Sequence, residues 1–286
     1  MSNFIRSSFY TVDPPIFATT NSEHHIASES VSISAAHVSI NNAAVKAVPA
    51  GLFVAKVGNV NRFLPRSTVK TATSTSANTL QPVVPQVFIP GDVLYVIQPY
   101  ATITITSVSA TQTQTVTVSG YTATATATTS NTTITAQEVV TAINNTAGIN
   151  QFVYALNLAN VVYVFGKDGV STYAISEGGT VTSTLSGAAL AFNTTAIGTI
   201  QGYDYTTGTF TLAANATVAL PIGAVVGVLV DEIYGLHNHS IDFTIYPNHT
   251  IALYTQSAAC RIQHLPHFDD NIRNIFKGRI HFGYKF

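Results

Sequence analysis

Side chains able to do chemistry gather late in the sequence. Asp231-Glu232 precede His237-Asn238-His239-Ser240-Ile241-Asp242, and His249, His264, His267, Asp269 and Asp270 follow. His237 and His239 stand two residues apart, so on a strand they share one face, as a pair of metal ligands can; Asp242 would then point the other way. A third ligand at a recognisable spacing is missing, as is an HExxH pattern. The single cysteine, Cys260, excludes both a disulfide framework and a cysteine-based zinc site, and its Ala258-Ala259-Cys260 setting reads as a buried, inert thiol. The histidines, His249 included, are therefore expected to serve packing or interfaces, with no metal and no cofactor. Acid–base chemistry needs more than imidazoles and carboxylates. The chain has no GxSxG elbow, no GxxxxGK[ST] phosphate cradle and no GxGxxG turn, so no catalytic residue is assigned and a non-enzymatic protein is expected.

The elements that would position these residues are built from an unusual composition. Only 9% of the 286 residues are charged, where ordinary soluble domains carry about 25%, and 46% are apolar. Twelve Lys and Arg stand against 13 Asp and Glu, for a formal net charge of −1. Such a balance gives no basic footprint, so no nucleic-acid partner is expected. It also offers little charge repulsion between copies, which suits a subunit covered by its neighbours. No apolar run approaches the ~18 residues of a membrane span and no secretion signal opens the chain, so a protein made and used without membrane insertion is expected.

Period-two alternation and Pro/Gly turns dominate the chain. In the stretch 198–230, Ile200 and Tyr203/Tyr205 begin an alternating run, Thr206-Thr207-Gly208 turns it, and Thr209-Phe210-Thr211-Leu212 returns. Pro221 and Gly223 then break the pairing before the apolar run Ala224–Val230, which reads as a strand buried on both faces. The same grammar occurs at Pro49-Ala50-Gly51 before Leu52–Val57, with a turn at Gly58-Asn59, and at Pro90-Gly91 before Val93–Ile97. Val31–Ile40 alternates as a strand ending at Asn41-Asn42, while the Ser/Thr/Pro-rich 66–86 reads as an exposed connector.

Two of these stretches carry a resemblance. Ala50-Gly51-Leu52-Phe53-Val54-Ala55-Lys56-Val57 with Arg62-Phe63-Leu64-Pro65, and the segment Gly198–Val228 with its Ala219-Leu220-Pro221-Ile222-Gly223 turn, resemble phage head decoration (capsid cement) proteins of the lambda D type. The likeness covers about 45–100 and 196–230, and its motifs are patterns of glycine, proline and apolar residues. It implies a β-barrel or sandwich that sits as a homotrimer on the outer surface of the expanded phage head. The major capsid protein would be its partner, and the host cytoplasm its place of synthesis. The turn residues Pro49, Gly51, Pro90, Gly91, Gly208, Pro221 and Gly223 carry the motif.

Between those flanks, 101–200 holds only four charged residues, Glu138, Lys167, Asp168 and Glu177. Thr102–Thr106, Gln114–Val118 and Tyr121–Thr129 alternate with threonine outward. Thr135-Ala136-Gln137-Glu138 matches a capping box ahead of Val139, Val140, Ala142 and Ile143, which predicts a helix ended by Asn144-Asn145 and Gly148. Strands at Phe152–Leu156, Val161–Phe165 and Ser171–Ile175 follow, with a turn at Gly166-Lys167-Asp168-Gly169. This block, 106–195, reads as a strand-rich α+β domain with one helix, inserted in a loop of the base. It would present an outer surface or contact a neighbouring subunit.

The expected fold is therefore mainly β: a base domain from 31–105 and 196–260, the insert, an extended N-terminal arm over 1–30 and a docking segment over 261–286. In the arm, Asp13-Pro14-Pro15 is extended by necessity, and Phe4, Phe9, Tyr10, Ile16 and Phe17 suit either a partner's surface or the protein's own. The resemblance implies that these residues grip the capsid. At the other end, Asp269-Asp270 before Ile272, Ile275 and Phe276 predicts a short helix, and Arg279–Tyr284 a closing strand. The expected function is a structural virion protein cementing capsomers against internal DNA pressure. The alternative is a tail- or fibre-associated module binding host-surface carbohydrate through exposed Tyr and Asn, which the absence of Trp disfavours.

Overall fold

The computed structural model describes residues 29–39, 46–167, 172–237, 240–244, 246–253, 258–261, 265, 268, 270–277 and 280–283. Seven strands come first: β1 (Glu29–Ser34), β2 (Ala47–Val48), β3 (Phe53–Val57), β4 (Val60–Phe63), β5 (Arg66–Thr71), β6 (Thr79–Pro82) and β7 (Val93–Val96). The middle holds β8 (Tyr100–Ser107), β9 (Thr113–Val118), β10 (Tyr121–Thr126), α1 (Thr132–Asn145) and α2 (Ala147–Asn150). It continues with β11 (Val153–Leu158), β12 (Val161–Gly166), β13 (Ile175–Gly179) and β14 (Thr182–Leu185). Then come β15 (Gly198–Asp204), β16 (Thr209–Leu212), β17 (Val225–Gly227), β18 (Glu232–Leu236), β19 (Ile241–Asp242) and β20 (Asn248–Leu253). The last elements are β21 (Ala258–Arg261), α3 (Asp270–Ile275) and β22 (Ile280–Gly283).

Six strands close into a barrel in the order β15–β16–β6–β5–β17–β7, every neighbouring pair antiparallel. Three come from before the middle block and three from after it, and closure leaves the ring without a free edge. Val69, Leu80, Leu94, Val96, Ile200, Phe210, Leu212 and Val226 are buried in its core, and Phe88 meets Phe210 edge to face at 5.8 Å. The stretch 66–86, expected as an exposed connector, supplies barrel strands β5 and β6 instead. Its alternation is masked because Ser67 takes a core position. That side chain is fully buried, and its hydroxyl accepts the Val84 N–H at 2.9 Å, so a polar residue fills an inward site at little cost.

The turns fall where proline and glycine put them. Ile89 O accepts the Asp92 N–H at 3.1 Å with Pro90 second and Gly91, at φ 95°, third, which is the residue pattern of a type II turn. Gly223 has φ 89° in the turn closed by Ala224 N–H to Pro221 O. The strand after it is shorter than expected. Residues 224–227 are buried, but Leu229 is exposed.

β3 and β4 pair across Gly58-Asn59 as expected, yet they lie in a separate three-stranded sheet, β18–β3–β4. One face, with Val54 and Phe63, joins the barrel core; the other, with Phe53 and Ala55, is covered by Leu265, Ile272, Phe276 and Ile280. Phe53 stacks on Phe276 at 5.5 Å. Burial on both faces explains the unbroken apolar run of β3. The C-terminal β21 and β22 pair in parallel, with α3 in the connection. β1 stops at Ser34, short of the expected Ile40, because the Ser34 hydroxyl accepts the Ala36 N–H and starts a 3-10 turn over Ala35–His37.

The middle block forms two sheets, β10–β9–β13 and β11–β12–β8–β14, around α1. Ala136, Val139, Val140 and Ile143 of the helix pack with Ile103, Ile105, Val116, Val118 and Val164 in a core distinct from that of the barrel. Residues 100–105, expected in the base, form β8 in the interior of the second sheet, so the block begins at Tyr100. The helix starts four residues earlier than the capping-box reading. Asn131 is its cap, its Oδ1 accepting the N–H groups of Thr133 and Ile134, and Thr135 lies inside the first turn. The third predicted strand is displaced from Ser171–Ile175 to β13. β12 has both faces buried: Val162 and Val164 enter the block's own core, while Tyr163 and Phe165 enter that of the barrel. This strand joins the two regions.

Candidate functional site

Of the late histidines, His237 and His249 are described, and these two do not share one site. His237 is buried at the end of β18, and its ring lies 6.0 Å from Phe63. Phe63 meets Phe243 at 6.2 Å, and Phe243 meets His249 edge-on at 4.9 Å. Two phenyl rings thus stand between the two imidazoles, which act as members of an aromatic cluster. Among the described residues no three His, Cys, Asp or Glu side chains gather at a spacing that could hold a metal ion. His239, His264, His267 and Asp269 lie outside the described residues, as do the arm residues Phe4, Phe9, Tyr10, Ile16 and Phe17 and the side chain of Cys260.

The turn residues of the motif are dispersed. Pro49 and Gly51 precede β3, the Gly51 N–H donating to His237 O at 2.8 Å. Pro90-Gly91, Gly208 and Pro221–Gly223 belong to three turns of the barrel. They shape backbone, and none offers a functional side chain.

A buried ion pair lies inside the fold. Arg62 of β4 donates from both terminal nitrogens to the two carboxylate oxygens of Asp92, each at 2.7 Å, and also to Val87 O at 2.8 Å. Asp92 further accepts the Ile89 N–H at 2.9 Å. Both side chains are under a tenth exposed. The pair ties the β3–β4 hairpin to the type II turn of the barrel. Close by, burial and the Arg62 guanidinium lower the pKa of His37, with Asp92 pulling the other way. This cluster is enclosed and holds the fold.

Among the described residues a cleft of about 430 Å³ opens where the middle block meets the barrel. Tyr100, Thr102, Tyr163, Ser186, Phe192 and Asn193 line one side; Thr75 and the segment 217–219 line the other. The rings of Tyr100 and Tyr163 lie 6.2 Å apart at 29°. Asn193 donates from Nδ2 to the Tyr100 hydroxyl at 3.1 Å and accepts the Thr195 N–H at 2.9 Å, which fixes its amide orientation. Ser186 Oγ accepts the Thr102 N–H at 2.8 Å. Burial, reinforced by Tyr100, pushes the Tyr163 hydroxyl up to about 12. Phe192, on the rim, remains 46% exposed.

Sequence reasoning missed this cleft. Tyr163 is the out-of-phase residue in Val161-Val162-Tyr163-Val164-Phe165, and Phe192 is the sole aromatic of the small-residue stretch 186–199. Those two irregularities were the only signals. A second groove, of about 390 Å³, runs between α1 and β10, with Ile134 exposed on it. No described helix is long and apolar enough to cross a membrane. The chain matches no protein-family model and no curated protein.

Proposed function

We propose that this chain is a structural virion protein that binds the outside of an expanded phage capsid and cements adjacent capsomers. One observation carries the reading. The two stretches over which the likeness extends, 45–100 and 196–230, both supply strands to one closed barrel, β5, β6 and β7 from the first and β15, β16 and β17 from the second. The motif residues 50–57 and 62–65 lie in and beside the β3–β4 hairpin, whose Val54 and Phe63 pack into the same core. A likeness spread over two unconnected stretches thus falls on the barrel and on the hairpin that shares its core.

Surface chemistry supports the same reading. Ile222 and Leu229 flank β17 and are 60% and 63% exposed, in a chain with only 9% charged positions. Apolar area removed from water between capsomers stabilises their contact by roughly 25 cal/mol per Å² before association costs. Three linked copies would turn weak single contacts into firm attachment through effective concentration.

Light scattering on the purified chain tests the assembly, and co-sedimentation with bare expanded capsids tests the attachment. A trimer, three times the 30.3 kDa chain, that pellets with capsids is the expected result. An Ile222→Asp/Leu229→Asp double variant should stay folded and pellet less. A chain that never pellets with capsids would remove the reading, and an open polymer would favour a tail or fibre role.

A further inference from the structure

We propose that the cleft between the barrel and the middle block binds a neutral saccharide, stacked on Phe192 and hydrogen-bonded by Tyr163, Asn193 and Ser186. The site is built from both regions and, at about 430 Å³, falls in the size range of small-molecule pockets. None of its lining residues carries a charge, so it offers no counter-charge to a phosphate, a carboxylate or a cation. An entirely apolar ligand fits no better, because it would leave the polar groups of the wall without partners.

Those groups are specific. Tyr163 is 6% exposed, lines the cleft, and its hydroxyl has no hydrogen-bond partner among the described residues. With its pKa raised to about 12, that hydroxyl is a neutral donor throughout the physiological range. Asn193 uses one amide proton on Tyr100 and keeps the second, while its oxygen is engaged by Thr195. Ser186 accepts from Thr102 and so keeps its own proton to donate. Phe192 presents a large ring to water beside these donors. A pyranose satisfies the whole set: one face of C–H groups for the ring and a rim of hydroxyl oxygens for the three donors. The inference does not rest on the capsid reading, and failure of that reading would leave it standing.

The test uses saturation-transfer NMR of the full chain with glucose, galactose, mannose, N-acetylglucosamine and N-acetylgalactosamine, each titrated for affinity. At least one sugar is expected to bind with a Kd on the order of millimolar. Phe192→Ala, a change at an exposed rim, should weaken that sugar about tenfold, and Tyr163→Phe, which keeps the ring and removes only the hydroxyl, roughly threefold. Both variants should melt like the parent. Absence of transfer from every neutral sugar would overturn the proposal. So would binding that Phe192→Ala and Tyr163→Phe leave unchanged.

Discussion

The barrel base and the middle block bury similar apolar side chains but place their polar groups differently. In the base, a bidentate Arg62–Asp92 pair sits inside, reinforced by Val87 O and the Ile89 N–H. In the middle block the main buried polar contact is milder. Gln114, 1% exposed, donates to Glu177 at 3.1 Å, and the Ser183 hydroxyl donates to the same carboxylate at 2.6 Å. Connectivity accounts for the contrast. The block is one contiguous run in which each sheet forms within about ninety residues, whereas the barrel must pair strands on opposite sides of that run. Long-range closure costs chain entropy and leaves more wrong pairings to exclude. A fork-to-carboxylate pair has one good geometry, so it selects one arrangement of hairpin against barrel.

That comparison is breakable. Asp92→Ala leaves a buried guanidinium without its counter-charge and should cost about 3–5 kcal/mol, seen as a fall in the denaturant midpoint of the base. Amide exchange in α1 and β8–β12 should change much less. Equal loss of protection in both regions would mean that β12, buried on both faces, couples them into one cooperative unit.

The reciprocal perturbation is Asn131→Ala. It removes the acceptor for two N–H groups of α1 and should cost about 1 kcal/mol, confined to the middle block. Exchange rates of the barrel strands should stay put; a change in them would argue against separate responses.

The smallest effect concerns pH. The folded-state pKa of His37 is lowered from 6.5, first by burial and then by Arg62, so the unfolded chain binds the proton more readily. Its contribution to stability is complete above the unfolded value and is lost as pH falls through the folded one. A thermal melt series from about pH 7 to about pH 5 should show a small decline in Tm, and His37→Gln should flatten it. An unchanged slope would place the acid sensitivity elsewhere.

Legibility in the sequence followed the same divide between local and distant causes. The β3–β4 hairpin with its Gly58-Asn59 turn, the β15–β16 hairpin ending in Gly208, and the existence of α1 could each be read from a few neighbouring residues. The cap of α1 escaped because Thr135 and Glu138 imitate a capping box, while Asn131 does the capping from an unremarked loop position. β5 escaped because Ser67 occupies a core site whose polarity is cancelled by Val84, a partner seventeen residues away. The shared face read for His237 and His239 falls partly outside the described residues, whereas the aromatic packing of His237 and His249 through Phe63 and Phe243, brought in from elsewhere in the chain, had no local signal.

By itself, the sequence determined which stretches extend, where they turn and how little charge the surface carries. Backbone sterics at proline and glycine and the two-residue pleat act within a few positions, so they are written locally. Only the tertiary structure decided that β5, β6 and β7 close a ring with β15, β16 and β17, and that Tyr100, Tyr163, Phe192 and Asn193 meet in one cleft. Those outcomes depend on which distant surfaces bury each other best, and burial has no period along the chain.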